Sequence, residues 1–91
     1  KIVPKEVYFQ PAYPNPFNPI TMLKFTVPVE MNVEIMVYDM MGRLVSEVTN
    51  DIYIAGEHTV PWDASSHSSG IYVVNMLIGE QNYNQKIMLI K

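Results

Sequence analysis

The chain contains no cysteine, which excludes a disulfide framework and a thiolate metal site. It does not fix the compartment, because exported bacterial proteins also do without disulfides. Positive charge is scarce: six lysines and arginines against nine acids leave a net charge of −3 over 91 residues. The basic residues are scattered, so no patch can neutralise a run of phosphates and no nucleic-acid partner is expected. No apolar run reaches the ~20 residues needed to span a bilayer, so no transmembrane segment is expected. There is no signal peptide and the chain opens on Lys1 rather than methionine, as expected of residues cut from a longer protein. Charged residues are only 16% of the chain against 48% apolar, a balance that excludes a disordered, charge-rich tail. One domain is expected, and a chain of this size buries roughly two-thirds of its unfolded surface, so its core must be compact.

Helical periodicity is almost absent, and alternation at period two takes its place. "ITMLKFTV" (Ile20–Val27) sets Leu23, Phe25 and Val27 on one face, with Met22, Lys24 and Thr26 on the other. "NVEIMVYD" (Asn32–Asp39) groups Val33, Ile35 and Val37, and "EHTVPWD" (Glu57–Asp63) groups His58, Val60 and Trp62. "GIYVVNMLIG" (Gly70–Gly79) is apolar on both faces, and Asn75 argues that Tyr72, Val74, Met76 and Ile78 face the core. "NYNQKIMLI" (Asn82–Ile90), "KEVYFQ" (Lys5–Gln10) and "RLVSEV" (Arg43–Val48) complete seven candidate strands.

The connections agree with this pattern. "DMMG" (Asp39–Gly42) suits a type I turn closed by a left-handed glycine. Gly56 breaks the chain before the fifth strand, "DASSHSSG" (Asp63–Gly70) is a polar loop ended by glycine, and "GEQN" (Gly79–Asn82) is a second hairpin turn. Seven short strands with regular turn signals predict an all-β, immunoglobulin-like β-sandwich of about seven antiparallel strands, without the cysteine pair of antibody domains.

"YPNPFNPIT", then "VYDMMGRLV", "AGEHTVPWDASSHSSGIYVV" and the closing "QKIMLIK" together resemble the C-terminal sorting domain of the bacterial type IX secretion system. The likeness is to its type A class, whose fold is similar to the immunoglobulin-like part of flagellar hook-capping proteins, and it covers Tyr13 to Lys91. The resemblance implies a non-catalytic domain that directs a multidomain cargo protein through the outer membrane. It implies as partners the outer-membrane translocon, a surface peptidase that removes the domain, and covalently linked N-terminal cargo domains. The location implied is secreted or on the outer-membrane surface of a Gram-negative bacterium, reached through the periplasm, with the cargo anchored there after cleavage. Residues 1–91 are then a single sorting domain, with 1–12 as first strand and approach from the cargo, and 13–19 as a Pro/Asn-rich turn into the sandwich. Two positions depart from the family pattern: Gln85 precedes Lys86 where two basic residues often stand, and Pro61 precedes Trp62. A proline inside a strand requires its missing N–H to face solvent or a bulge.

Each motif has a structural and a functional side. Pro14, Pro16 and Pro19 fix their own φ and push the preceding Tyr13, Asn15 and Asn18 toward extended conformations, while the asparagine carbonyls can bond nearby backbone. Structurally this is a rigid, edge-blocking segment anchored by Phe17, which keeps a flat edge from recruiting another chain; functionally it is a landmark for the translocon or a spacer. In "DMMGRLV", Asp39 and Gly42 shape the turn, and Arg43 is the residue exposed to a partner. In "PWDASSHSSGIY", Trp62 packs in the core and Asp63 caps the loop, with Gly70 and Tyr72 completing the motif. Its serines, His67 and Asp63 do not make a nucleophilic triad with an oxyanion hole, and Asp63 stands nearly alone for calcium. His58 and His67 are too few for zinc. No enzyme, metal or cofactor is therefore expected. The six tyrosines (Tyr8, Tyr13, Tyr38, Tyr53, Tyr72, Tyr83) open the alternative of an accessory carbohydrate-binding module of an extracellular enzyme, against ordinary core and cross-strand packing. The terminal "KIMLIK" reads as a strand buried on both faces. The resemblance concentrates the export signal there, making Lys86, Ile87, Leu89, Ile90 and Lys91, with Arg43, the translocon-recognition candidates.

Overall fold

The computed structural model describes residues 6–91, and these form strands, turns and loops without a helix. Seven strands follow in order: β1 (Tyr8–Phe9), β2 (Ile20–Val27), β3 (Met31–Tyr38), β4 (Leu44–Tyr53), β5 (Gly56–Asp63), β6 (Gly70–Ile78) and β7 (Gln81–Leu89). They build two antiparallel sheets, β1–β2–β5 and β4–β3–β6–β7, which make up the expected sandwich.

Alternation explains the core. Successive strand side chains point to opposite faces, so Leu23, Phe25 and Val27 of β2 and Val33, Ile35 and Val37 of β3 lose all contact with water. Tyr72, Val74, Met76 and Ile78 of β6 are buried with them, on the side that Asn75 indicates. Phe17, Trp62, Ile87 and Leu89 fill the rest of one continuous core.

The first hairpin turns as expected, and the second turns one residue earlier than Gly79–Asn82, since Gln81 and Asn82 already pair with Ile78 and Leu77. Gly42 N–H donates to Asp39 O at 3.0 Å, Asp39 N–H donates back to Arg43 O at 3.0 Å, and Gly42 takes φ +82°. Between β6 and β7 only Gly79 and Glu80 lie outside the ladder. The positive φ falls on Gly79 alone (+59°), the sign pattern of a type II′ turn.

Three further expectations need correction. The fourth strand does not stop at Val48 but runs to Tyr53, because Asn50 and Asp51 stay paired opposite Glu34 and Val33; cross-strand pairing overrides their turn preference. The first strand is limited to Tyr8–Phe9, with Pro11 two residues beyond its end; the part of this expectation at Lys1–Lys5 lies outside the described residues. The last strand is buried on one face only: Ile87 and Leu89 are 1% exposed, whereas Met88 is 40% exposed and Ile90, beyond the end of β7, 51%. β7 is the outer strand of its sheet, and its second face meets water.

Pro61 fits without breaking a ladder bond. Its partner Met22 turns its own N–H and C=O away, toward Tyr13 (3.0 and 3.2 Å). An antiparallel pair either exchanges both bonds or turns both residues away from each other, so the missing N–H of Pro61 lies on the outer edge of β5.

Candidate functional site

Residues 10–17 leave β1 and close one side of the sandwich as a strap between the two sheets. The strap first follows β2: Gln10 N–H donates to Lys24 O (2.9 Å), and Tyr13 exchanges two bonds with Met22. It then crosses to β7, where Phe17 N–H donates to Met88 O (2.9 Å) and Ile90 N–H donates to Phe17 O (3.0 Å). These two bonds form a parallel bridge between Phe17 and Leu89.

Two residues earlier in this ladder stands Asn15, between Pro14 and Pro16, which have no N–H of their own. The Asn15 side chain takes over. Its Nδ2 donates to Lys86 O at 3.1 Å, and its Oδ1 accepts from Met88 N–H at 2.9 Å. Donating to the residue before a partner and accepting from the residue after it is the bond pattern of a parallel strand. The Asn15 amide therefore brackets Ile87 as the Phe17 peptide brackets Leu89. A second side-chain amide repeats the device: Gln85 Nε2 donates to Gln10 O (2.8 Å), and Ala12 N–H donates to Gln85 Oε1 (2.7 Å). Inside, the fully buried Thr21 hydroxyl donates to Pro14 O at 2.7 Å, and the Phe17 ring lies 5.8 Å from that of Trp62. The Asn18 side chain, expected to bond nearby backbone, makes no hydrogen bond among the described residues.

The recognition candidates divide by exposure. Ile87 and Leu89 point into the core, where they fix the strand rather than meet a partner. Lys86, Ile90 and Lys91 are exposed. Lys91 is nevertheless docked: its N–H donates to Ser69 Oγ (2.9 Å) and its Nζ to Ser65 O (2.6 Å). Asp63 organises the same loop, accepting from both the hydroxyl and the N–H of Ser65. Those two bonds, with the hydroxyl first, hold the Asp63 carboxyl below its ordinary value, and the Lys91 charge adds to them. Beneath the loop Trp62 packs against Tyr72 (5.6 Å) and His67 (5.5 Å), and Tyr72 O–H donates to Ser68 O (2.6 Å).

The β3–β4 hairpin stands at the same end, across a cleft of about 450 Å³ shared with the serine loop. Arg43 Nε pairs with Asp39 Oδ2 at 3.0 Å while its side chain stays 76% exposed. The Arg43 backbone N–H is the largest of the influences that hold the Asp39 carboxyl below its ordinary value, with the Met41 N–H and the guanidinium assisting.

His58 is a packing residue, half-buried between Phe25 (5.6 Å) and Tyr53 (4.9 Å), with its Nε2 bonded to Ile54 O. Among the described residues no three of His, Asp and Glu converge as a metal site. Tyr8 and Tyr13 are the exposed tyrosines, and they sit opposite Thr26 and Met22, four residues apart along β2 rather than in one stacking row.

Sequence reasoning passed over Thr21 and Ser69, and weighed Ser65 only as a fragment of a triad. Gln85 was visible as a departure from pattern, and Asn15 as an asparagine before proline whose carbonyl is expected to bond nearby backbone. Their partners, some seventy positions away, were not.

What this end and edge of the molecule offer is backbone, amides and three exposed cations, Arg43, Lys86 and Lys91. The chain belongs to the secretion system C-terminal sorting domain family, whose model matches residues 11–91. This is the type IX sorting family, one of non-catalytic signals that export the protein carrying them. No curated protein and no solved structure matches the chain significantly.

Proposed function

We propose that this domain carries a covalently joined cargo across the outer membrane, and that the translocon reads the exposed side of its last strand together with the hairpin end. The family match over residues 11–91 carries this proposal, and the exposure of Lys86, Ile90, Lys91 and Arg43 supports it. Ile87 and Leu89 act from inside by holding the strand in place. After passage a surface peptidase separates domain from cargo, which stays anchored on the outer surface or is released.

The test is export of a periplasmic fluorescent reporter fused ahead of residues 1–91, in a bacterium with an intact type IX system. Reporter is expected at the surface or in the medium. A version with Lys86→Ala and Lys91→Ala is expected to stay in the periplasm with an unchanged circular dichroism spectrum, since neither side chain lies in the core. Deleting Lys86–Lys91 outright is a poorer probe, because it also removes Ile87 and Leu89 from the core. A folded parent domain that leaves its reporter in the periplasm refutes the proposal for that host.

A further inference from the structure

A strand at the edge of a sheet presents unpaired N–H and C=O groups that can recruit another chain, and folded proteins blunt such edges in specific ways. Four edges exist here, and three are blunted within the edge strand itself. β1 is only two residues long. β5 carries Pro61 with its missing N–H outward. β4 is bulged twice against β3, where Val48 and Val45 have no opposite partner, and it bears Glu47 and Asp51. β7 carries the least: nine residues in unbroken register with β6, without proline or bulge, and with Lys86 as its one charge. The N–H and C=O groups of its even-numbered residues point outward, as the Met88 and Lys86 bonds to the strap show.

We propose that the strap is the guard of the β7 edge, and that removing its amide clasps lets β7 pair edge to edge with β7 of a second copy of this chain. Three observations favour a second copy as the occupant. Antiparallel pairing of a strand with its own copy about a two-fold axis is self-complementary. The near-neutral sequence QNYNQKIML sets little like charge against itself. Pairing would also continue both faces of the sheet, Ile87 and Leu89 on the inner side, Asn82, Asn84 and Met88 on the outer. With the strap closed, only the stretch from Asn82 to the Lys86 N–H is open, beside a cleft of about 500 Å³ bordered by Phe9, Pro11 and Asn15. That stretch is about half the strand, which keeps the closed chain from pairing. The inference does not depend on the sorting function.

The test compares the 1–91 chain with Asn15→Ala and with Asn15→Ala/Gln85→Ala, by hydrogen exchange and sedimentation equilibrium. Loss of the Asn15 clasp should speed exchange of the Met88 amide about tenfold, the worth of one hydrogen bond. The double variant should associate at concentrations where the parent does not, and adding Asn84→Lys, a second cation on the edge, should return it to monomer. A folded double variant that stays monomeric into the millimolar range overturns the proposal, as does association that Asn84→Lys leaves unchanged. Should the double variant fail to fold, Asn15→Ala alone decides: folded, with Met88 exchange at the parent rate, it refutes the clasp.

Discussion

Replacing Phe17 with alanine asks whether the strap belongs to the core or merely lies on it. Phe17 is 2% exposed, and its ring tilts at 51° against Trp62. Its peptide groups make two bonds to the chain's last residues. Truncating a buried phenylalanine costs about 3–5 kcal/mol, from lost transfer energy and the cavity left behind. A domain of 91 residues has a total stability of about 5–14 kcal/mol, so the loss is a large share of it. At about 4–8 °C per kcal/mol the melting midpoint should fall by at least about 12 °C. Urea unfolding read in parallel by circular dichroism and by the fluorescence of Trp62, the chain's one tryptophan, checks this. Both signals should move together, because the ring that is lost lies against the fluorophore and the strap unfolds with the sheets. A loss under about 1 kcal/mol, or an early Trp62 transition with the dichroism midpoint unmoved, would show that the strap is an appendage.

Three further outcomes follow from single contacts. Gly42→Ala meets no atom within 4 Å, so its cost is the left-handed backbone alone, about 1–2 kcal/mol by urea unfolding; a neutral result would contradict the turn. Asp39 is held below its ordinary value of 3.8, so the stability it lends the hairpin is fully present above that value and is lost as pH falls through its lower folded value. An NMR titration should therefore show the Met41 and Arg43 amides shifting with a midpoint below that ordinary value, and a midpoint above it would reverse the sign. Gln85→Lys keeps a donor for Gln10 O but leaves the Ala12 N–H without an acceptor, which should cost about 1–3 kcal/mol; an unchanged urea midpoint would remove Gln85 from the clasp.

Most of the fold was legible because it rests on local rules. Leu23-Phe25-Val27 and Val33-Ile35-Val37 alternate cleanly, and Gly42 and Gly79 sit where tight turns need positive φ. What misled was a local preference beaten by a distant partner. The fourth strand reads as ending at Val48, yet Asn32 donates its side-chain amide to Asn50 and the pairing carries on to Tyr53. The apolar run Ile87–Ile90 reads as a strand covered on both faces, because composition does not say whether a strand is central or at an edge. The site was legible as a set of names and not as roles: Lys86, Ile87, Leu89, Ile90 and Lys91 are adjacent in sequence, but period-two geometry divides them between core and surface. The docking of Lys91 on Ser65 and Ser69 depends on residues that advertise only a polar loop.

The departure at Gln85 and the proline-rich segment turn out to belong together physically. To join Gln10 O to Ala12 N–H a side chain must donate and accept at once, which an amide does and a lysine or arginine, having donors only, does not. Asn15 meets the same demand at Lys86 O and Met88 N–H, between two prolines that have no N–H of their own. Prolines alone would stiffen the segment but leave the edge of β7 without partners; amides alone would lack a fixed path along it. Stiff backbone and bifunctional side chains together let residues 10–17 act as a further strand although almost none of their own N–H groups reach β7. A basic residue at position 85 would therefore need a different strap, and charge presented toward the end of this chain falls to Lys86, Lys91 and Arg43 instead.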